Sequence, residues 1–291
     1  VKAFRAELAL MFNTVVWGAT FVVVKGALED VSPLLFLALR FTLAAAVLAL
    51  VFRRAWKGAL RPLLRPGIVC GVLLFAGYAL QTMGLRLTSA PKSAFITGLS
   101  VPLVPLFAAL VYQVKPRAAE LLGVSLAVAG MALMTLEGAS LSMGWGDLLT
   151  VGCAIAFAGH IVALGHYTAE VGFEVLTPVQ VGVAALLALA VFQWAETPRL
   201  VLSPAVWSAI LITGLLATAL AYGIQSWAQQ YTTSTRTALI FTLEPLFAWA
   251  TSWVLTGETL SPRGVSGALL ILGGVLVVEV KPVHLKRHPS Q

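Results

Sequence analysis

Residues 78–99 read YALQTMGLRLTSAPKSAFITGL, and residues 222–243 read YGIQSWAQQYTTSTRTALIFTL. At a constant offset of 144, Tyr78 falls on Tyr222, Gln81 on Gln225, Thr88 on Thr232 and Lys92 on Arg236. Ala94 falls on Ala238 and Ile96 on Ile240. The polar matches carry the comparison, because apolar segments resemble one another by chance and tyrosine–glutamine faces seldom do. The register returns at Gly123/Gly267 and Gly130/Gly274. Between them, Pro105-Leu106-Phe107-Ala108 aligns with Pro245-Leu246-Phe247-Ala248 at 140. Earlier stretches align weakly at 140, with Phe21 near Ile161 and Arg40 near Gln180. The chain reads as two copies of one unit, residues 1–140 and 141–291.

Composition says where these units live. Of 291 residues, 59% are hydrophobic and only 11% charged, against about 25% charged in a soluble domain. A helix crosses a hydrocarbon core of about 30 Å with roughly 20 apolar residues. Such stretches fall at 8–27, 33–52, 66–85, 92–112, 118–136, 147–166, 175–194, 204–227, 235–255 and 263–280. Pro33, Pro66, Pro204 and Pro262 lie near expected starts, where a missing N–H costs little. The expectation is an all-α integral membrane protein of ten transmembrane helices, with no room for a soluble domain. Five spans per unit is an odd number, so the second unit must enter the bilayer upside down. Inverted repeats permit two related conformations, each open to one side.

The net charge of +7 follows the membrane and does not form a nucleic-acid-binding face. With the N-terminus inside, Lys2, Arg5, Arg53, Arg54, Lys57, Arg61, Arg65, Lys115, Arg117, Lys281, Lys286 and Arg287 are cytoplasmic. Lys25, Arg86, Lys92, Arg199 and Arg263 fall outside. That imbalance favours an N-in, C-in topology. The first span holds Trp17, Gly18 and Lys25 without a small-residue cleavage site, so it reads as a retained helix. Cys70 and Cys153 lie in apolar stretches and read as buried small side chains. No metal or cofactor is expected, since His160 and His166 have no acidic cluster beside them. The sequence contains no GxxxxGK[ST] loop, HExxH or GxSxG, which argues against a nucleotide-driven pump and an intramembrane enzyme. A non-transporting sensor or scaffold remains the rival to a transporter.

Polar groups placed mid-membrane are the candidate site, because each is costly there unless paired or facing a wet cavity. Glu244 is the one acidic residue expected near the middle of a span, and it could carry a proton or touch substrate. Pro245 beside it would free a backbone carbonyl one turn earlier. Tyr78 and Gln81 share a helix face at i, i+3, and Tyr222 and Gln225 repeat it. They would line a cavity, or pair with one another across helices. Arg40 lies deep in the second span and needs a carboxylate partner or an anionic substrate. His160 could titrate near neutrality. Trp17 sits mid-span, away from the interfacial belts where tryptophan collects. Asn13 precedes it by one turn and Phe21 follows by one.

The segments 15-VVWGATFVVVKGAL-28, 37-LALRFTLAAAVL-48, 94-AFITGLSVPLVPLFAAL-110, 238-ALIFTLEPLFAWATSWVLTGETL-260 and 264-GVSGALLILGGVLV-277, in this order, resemble the EamA-type family of the drug/metabolite transporter superfamily. The resemblance covers essentially the whole chain. It implies secondary transport of a small organic metabolite, commonly export, with amino-acid-like compounds among the substrate classes. It also implies a central cavity lined from both halves, in a bacterial inner membrane. With no nucleotide-binding loop, the energy would have to come from a counter-substrate gradient, protons or another ion. Trp17 occupies the family's Trp-Gly position. The glutamate–proline motif is present only as Leu243-Glu244-Pro245, and its first-half counterpart reads Ser100-Val101-Pro102. Any carboxylate role is therefore asymmetric.

Overall fold

A computed structural model describes residues 1–55, 61–88, 90–113, 115–136, 143–256 and 261–279. The helices are α1 Lys2–Ala27, α2 Pro33–Val51, α3 Arg61–Leu87, α4 Ala90–Gly98, α5 Ser100–Tyr112, α6 Ala118–Thr135 and α7 Trp145–Val171. They continue with α8 Phe173–Ala195, α9 Pro204–Leu211, a π-helical turn run Ile212–Leu220, α10 Ala221–Ala228, α11 Ser234–Phe241, α12 Glu244–Thr256 and α13 Pro262–Glu279. One isolated bridge, Val31 to Leu200, is the extended pairing among the described residues.

The protein is an all-α, multi-span integral membrane protein. Seven continuous helical stretches among the described residues are long and apolar enough to cross a bilayer. Two apolar helices, in α6 and α13, are shorter. The stretch expected as one span at 235–255 is divided at Thr242–Leu243 into α11 and α12. The stretch at 92–112 is interrupted by a single turn residue, Leu99, between α4 and α5. Polarity is turned outside in, as lipid requires. Leu50, Leu110, Leu186 and Leu269 are exposed, whereas Asn13, Thr150, Gln180 and Ser226 are fully buried. Trp145 and Trp194 stand exposed at helix ends, the level where aromatic belts form.

Prolines set several helix starts. Pro33 and Pro204 occupy the first helical position, where no intrahelical N–H bond is lost. Pro66, expected at a start, instead lies inside α3, which begins earlier at Arg61. The α1–α2 and α8–α9 connections are laced together. Ser32 N–H donates to the Arg199 carbonyl at 2.9 Å and Val201 N–H to that of Asp30 at 2.8 Å. The Arg199 guanidinium also donates to the Glu29 carbonyl. The Glu196 carboxylate accepts from Leu34 N–H at 3.0 Å and Leu35 N–H at 2.7 Å. It thereby caps the N-terminus of α2 from another segment, satisfying orphan donors and opposing the helix dipole. Glu196→Ala should cost about 1 kcal/mol, read as a lower Tm in detergent. An unchanged Tm would mean the cap contributes nothing.

Close packing rests on glycine. Helices α6 and α13 run side by side in opposite directions. A Cβ on Gly123 would meet the Gly274 carbonyl, and one on Gly130 would meet that of Gly267. Such contact suits membrane helices, which lack a hydrophobic drive to associate and depend on close van der Waals approach. Around the centre, α3 packs on α7 and α8, α2 on α8 and the π-helical run, and α1 on α10, α11 and α12.

Candidate functional site

Tyr78 and Tyr222 meet at the centre of the bundle. The Tyr222 hydroxyl donates to the Tyr78 hydroxyl at 3.1 Å, and the rings lie edge to face with centroids 6.2 Å apart. Each tyrosine takes a second aromatic neighbour from the other half. Trp17 lies 5.7 Å from Tyr222, and Phe157 lies 5.2 Å from Tyr78. Trp17 and Phe157 differ by 140 in number, the offset at which the first spans align.

Arg40 closes one side of this pair. It is 4% exposed. Its Nε donates to Thr218 Oγ1 at 2.7 Å, and its Nη2 to the Tyr78 hydroxyl at 3.2 Å and the Ala217 carbonyl at 3.3 Å. The guanidinium also sits over the Tyr78 ring, 4.4 Å from its centroid. Among the described residues, no carboxylate comes within ion-pair distance of it. A buried cation held only by dipoles is incompletely compensated, so this group is suited to receive an anion.

The π-helical run explains how one carbonyl serves two donors. Thr218 Oγ1 donates to the Thr213 carbonyl at 2.8 Å, a spacing of five residues that matches the wider pitch. Ala217 then offers its carbonyl to Arg40 and also to Trp17 Nε1 at 2.9 Å. Trp17 is thus a polar tether as well as an apolar wall, packed 4.9 Å from Phe241.

On the other side, His160 Nε2 shares a 2.8 Å hydrogen bond with Gln180 Oε1. Gln180 Nε2 donates on to Ser226 Oγ at 3.2 Å. The imidazole stands edge to face against Tyr222, with centroids 5.6 Å apart. Asn13 Nδ2 donates to the Ala221 carbonyl at 2.8 Å, while its buried Oδ1 has no hydrogen-bond partner. Glu244 opens α12 directly after the break at Thr242–Leu243. It is close enough to interact electrostatically with Tyr222 and Cys153. Pro245 therefore lies in the first turn of α12 and has no N–H for the carbonyl of Phe241, four residues back at the end of α11.

The structure brings Asn13, Trp17, Arg40, Tyr78, His160, Tyr222 and Glu244 into one region. It does not join the two glutamines there. Gln81 Nε2 donates to Thr97 Oγ1 at 3.3 Å, and Gln225 Nε2 to Gln229 Oε1 at 3.2 Å. The buried Gln225 Oε1 has no hydrogen-bond partner. The Phe21 side chain lies outside the described residues. Thr218, Gln180, Ser226 and the Ala217 carbonyl join the site without having been singled out for it. Gln180 had one signal in the sequence, its alignment with Arg40.

A bundle of membrane-crossing helices closed over a polar, mixed-charge centre defines a multi-span membrane transporter. The chain belongs to the EamA-like transporter family, whose profile matches residues 4–136 and 144–280. It is a secondary transporter of small organic metabolites. An uncharacterized transporter from Archaeoglobus fulgidus is 34% identical over 97% of this chain and 88% of its own. A probable amino-acid metabolite efflux pump from Salmonella typhimurium is 28% identical over 93% of each chain. A crystal structure at 20% identity superposes with a TM-score of 0.79, covering 95% of this chain and 96% of that one, and shares the fold. Among the described residues, no group of three metal-ligating side chains gathers.

Proposed function

We propose that the protein is an alternating-access exporter of an amino-acid-like metabolite, built from two five-span halves, 1–140 and 141–291, inserted in opposite directions in a bacterial inner membrane. The single observation that carries this is the pairing of repeat-equivalent glycines. Gly123 contacts Gly274 and Gly130 contacts Gly267, and the offset of 144 turns one contact into the other. Helices α6 and α13 are repeat copies that lie antiparallel, as an axis in the membrane plane requires. The Tyr78–Tyr222 pair is likewise a residue bound to its own copy. The α1–α2 and α8–α9 connections lie together, in keeping with ten spans and both tails on one side.

Substrate recognition follows from the charges. Arg40 takes the carboxylate, Glu244 the ammonium group or a proton, and Trp17 with Tyr222 walls the side chain. His160 and Asn13 supply further polar contacts. Flux in proteoliposomes, screened over amino acids, nucleosides, sugars and organic cations, tests the reading. It predicts a zwitterionic hit and fails if only sugars or nucleosides move.

Glu244→Gln separates coupling from binding. If Glu244 carries the coupling proton, the variant loses acceleration by a pH gradient while keeping exchange of substrate across the membrane. Unaltered dependence on the gradient would remove Glu244 from the proton path.

A further inference from the structure

The two ends of the bundle carry the same polar kit at equivalent positions. One end has Glu7 on α1, Thr232 just before α11, and Arg236 on α11. The other has Asp147 on α7, Thr88 just after α3, and Lys92 on α4. The two acids are 140 residues apart, and the threonines and the bases are each 144 apart. These are the offsets at which the halves align.

Each kit makes one contact that crosses from one half to the other, Glu7–Arg236 and Thr88–Asp147, beside further contacts within the second half. At the first end, Arg236 Nη1 donates to Glu7 Oε1 at 2.8 Å, with side chains 11% and 14% exposed. Arg236 Nη2 also reaches the Val278 carbonyl of α13 at 3.5 Å. At the second end, Thr88 Oγ1 donates to Asp147 Oδ1 at 2.7 Å, while Asp147 Oδ2 accepts from Gly144 N–H at 2.8 Å. The Lys92 side chain lies outside the described residues, so the second end is argued from Thr88 and Asp147. The ends are also in different states. Thr88 binds its acid, whereas its counterpart Thr232 has a buried hydroxyl with no hydrogen-bond partner.

We infer that Glu7–Arg236 and Thr88–Asp147 are latches across the two halves at opposite mouths of the transporter, opened in turn during the cycle. This rests on the alternating-access reading above. When two halves rock, the mouth that opens is the one whose cross-half contacts break. A latch at one mouth therefore raises the free energy of the state open to that face and no other. Removing it shifts population toward that state by its differential contribution. A pair that only anchored a helix end would stabilise both states equally and shift neither.

The test uses a reporter cysteine, Gln81→Cys, in the full chain carrying Cys70→Ala and Cys153→Ala. A membrane-impermeant maleimide is applied to each face of oriented vesicles. Glu7→Gln should speed labelling from the Glu7 face at least about fivefold, the lower range of site-to-site coupling, and slow it from the opposite face. Thr88→Val, which leaves the Asp147 cap intact, should do the reverse. The exchange Glu7→Arg with Arg236→Glu should restore the unaltered rates, which excludes simple misfolding. Labelling from both faces at rates no variant changes would overturn the latches and leave alternating access standing. Both variants shifting labelling in the same direction would also overturn them. A reporter reached from neither face, or from one face alone in every variant, would overturn the latches and alternating access together.

Discussion

Arg40→Met should all but abolish transport, with flux falling at least about 30-fold while the protein still folds. Methionine keeps the length and apolar stem of the side chain and removes the fork that reaches Thr218, Tyr78 and Ala217. Losing one partner of a buried charge contact costs roughly 2–5 kcal/mol, and each 1.36 kcal/mol is about tenfold. Folding should survive, since Thr218 already donates to the Thr213 carbonyl and Tyr78 keeps Tyr222. Arg40→Lys should fall between, because it retains the charge but not the planar fork. Flux of the screened substrate, read beside the Tm of each variant, decides the matter. Normal flux in Arg40→Met would remove Arg40 from recognition.

The largest effect on folding should come from Gly130→Leu. A Cβ there would lie 2.5 Å from the Gly267 carbonyl oxygen and 2.8 Å from Ile271. Neither a backbone carbonyl nor a packed helix can withdraw without separating α6 from α13. Overpacking costs typically 1–3 kcal/mol, and here the lost approach along the helix pair adds to it. The expected result is loss of monodisperse protein on size-exclusion chromatography. Gly273→Ala is the matched control, one residue from the contact line and with nothing within 4 Å of its Cβ. It should be neutral or mildly stabilising, because alanine is the better helix former. Equal tolerance of both changes would mean the glycines do not set this interface.

Much of this was legible in the sequence because it depends on residue type and spacing. The exposed leucines and buried polar groups follow from composition, and the Tyr78–Tyr222 contact follows from a match at 144. The depth of Arg40 could be read from its apolar flanks. The π-helical run could not. Nothing in ITGLLATAL distinguishes it from an ordinary apolar helix, and the donors that meet its Ala217 carbonyl, Arg40 and Trp17, come from distant segments. The separation of the glutamines was equally hidden. Gln81 and Gln225 share a register, yet one faces Thr97 and the other Gln229, because their neighbours differ between the halves. The break before Glu244 changed its setting from mid-helix to the start of a helix. Pro245 signalled it, since a proline suits a first turn better than an interior.

The opposite insertion of the two halves is best tested at one pair of equivalent positions. Arg117 is the N-cap of α6, and Ser261, 144 residues on, caps α13 by accepting from Gly264 N–H at 3.1 Å. Single cysteines at these sites, in a background lacking Cys70 and Cys153, can be labelled in intact cells with an impermeant thiol reagent. The account predicts that Ser261→Cys is labelled from outside and that Arg117→Cys is labelled only after the membrane is opened. Labelling of both from the same side would contradict it.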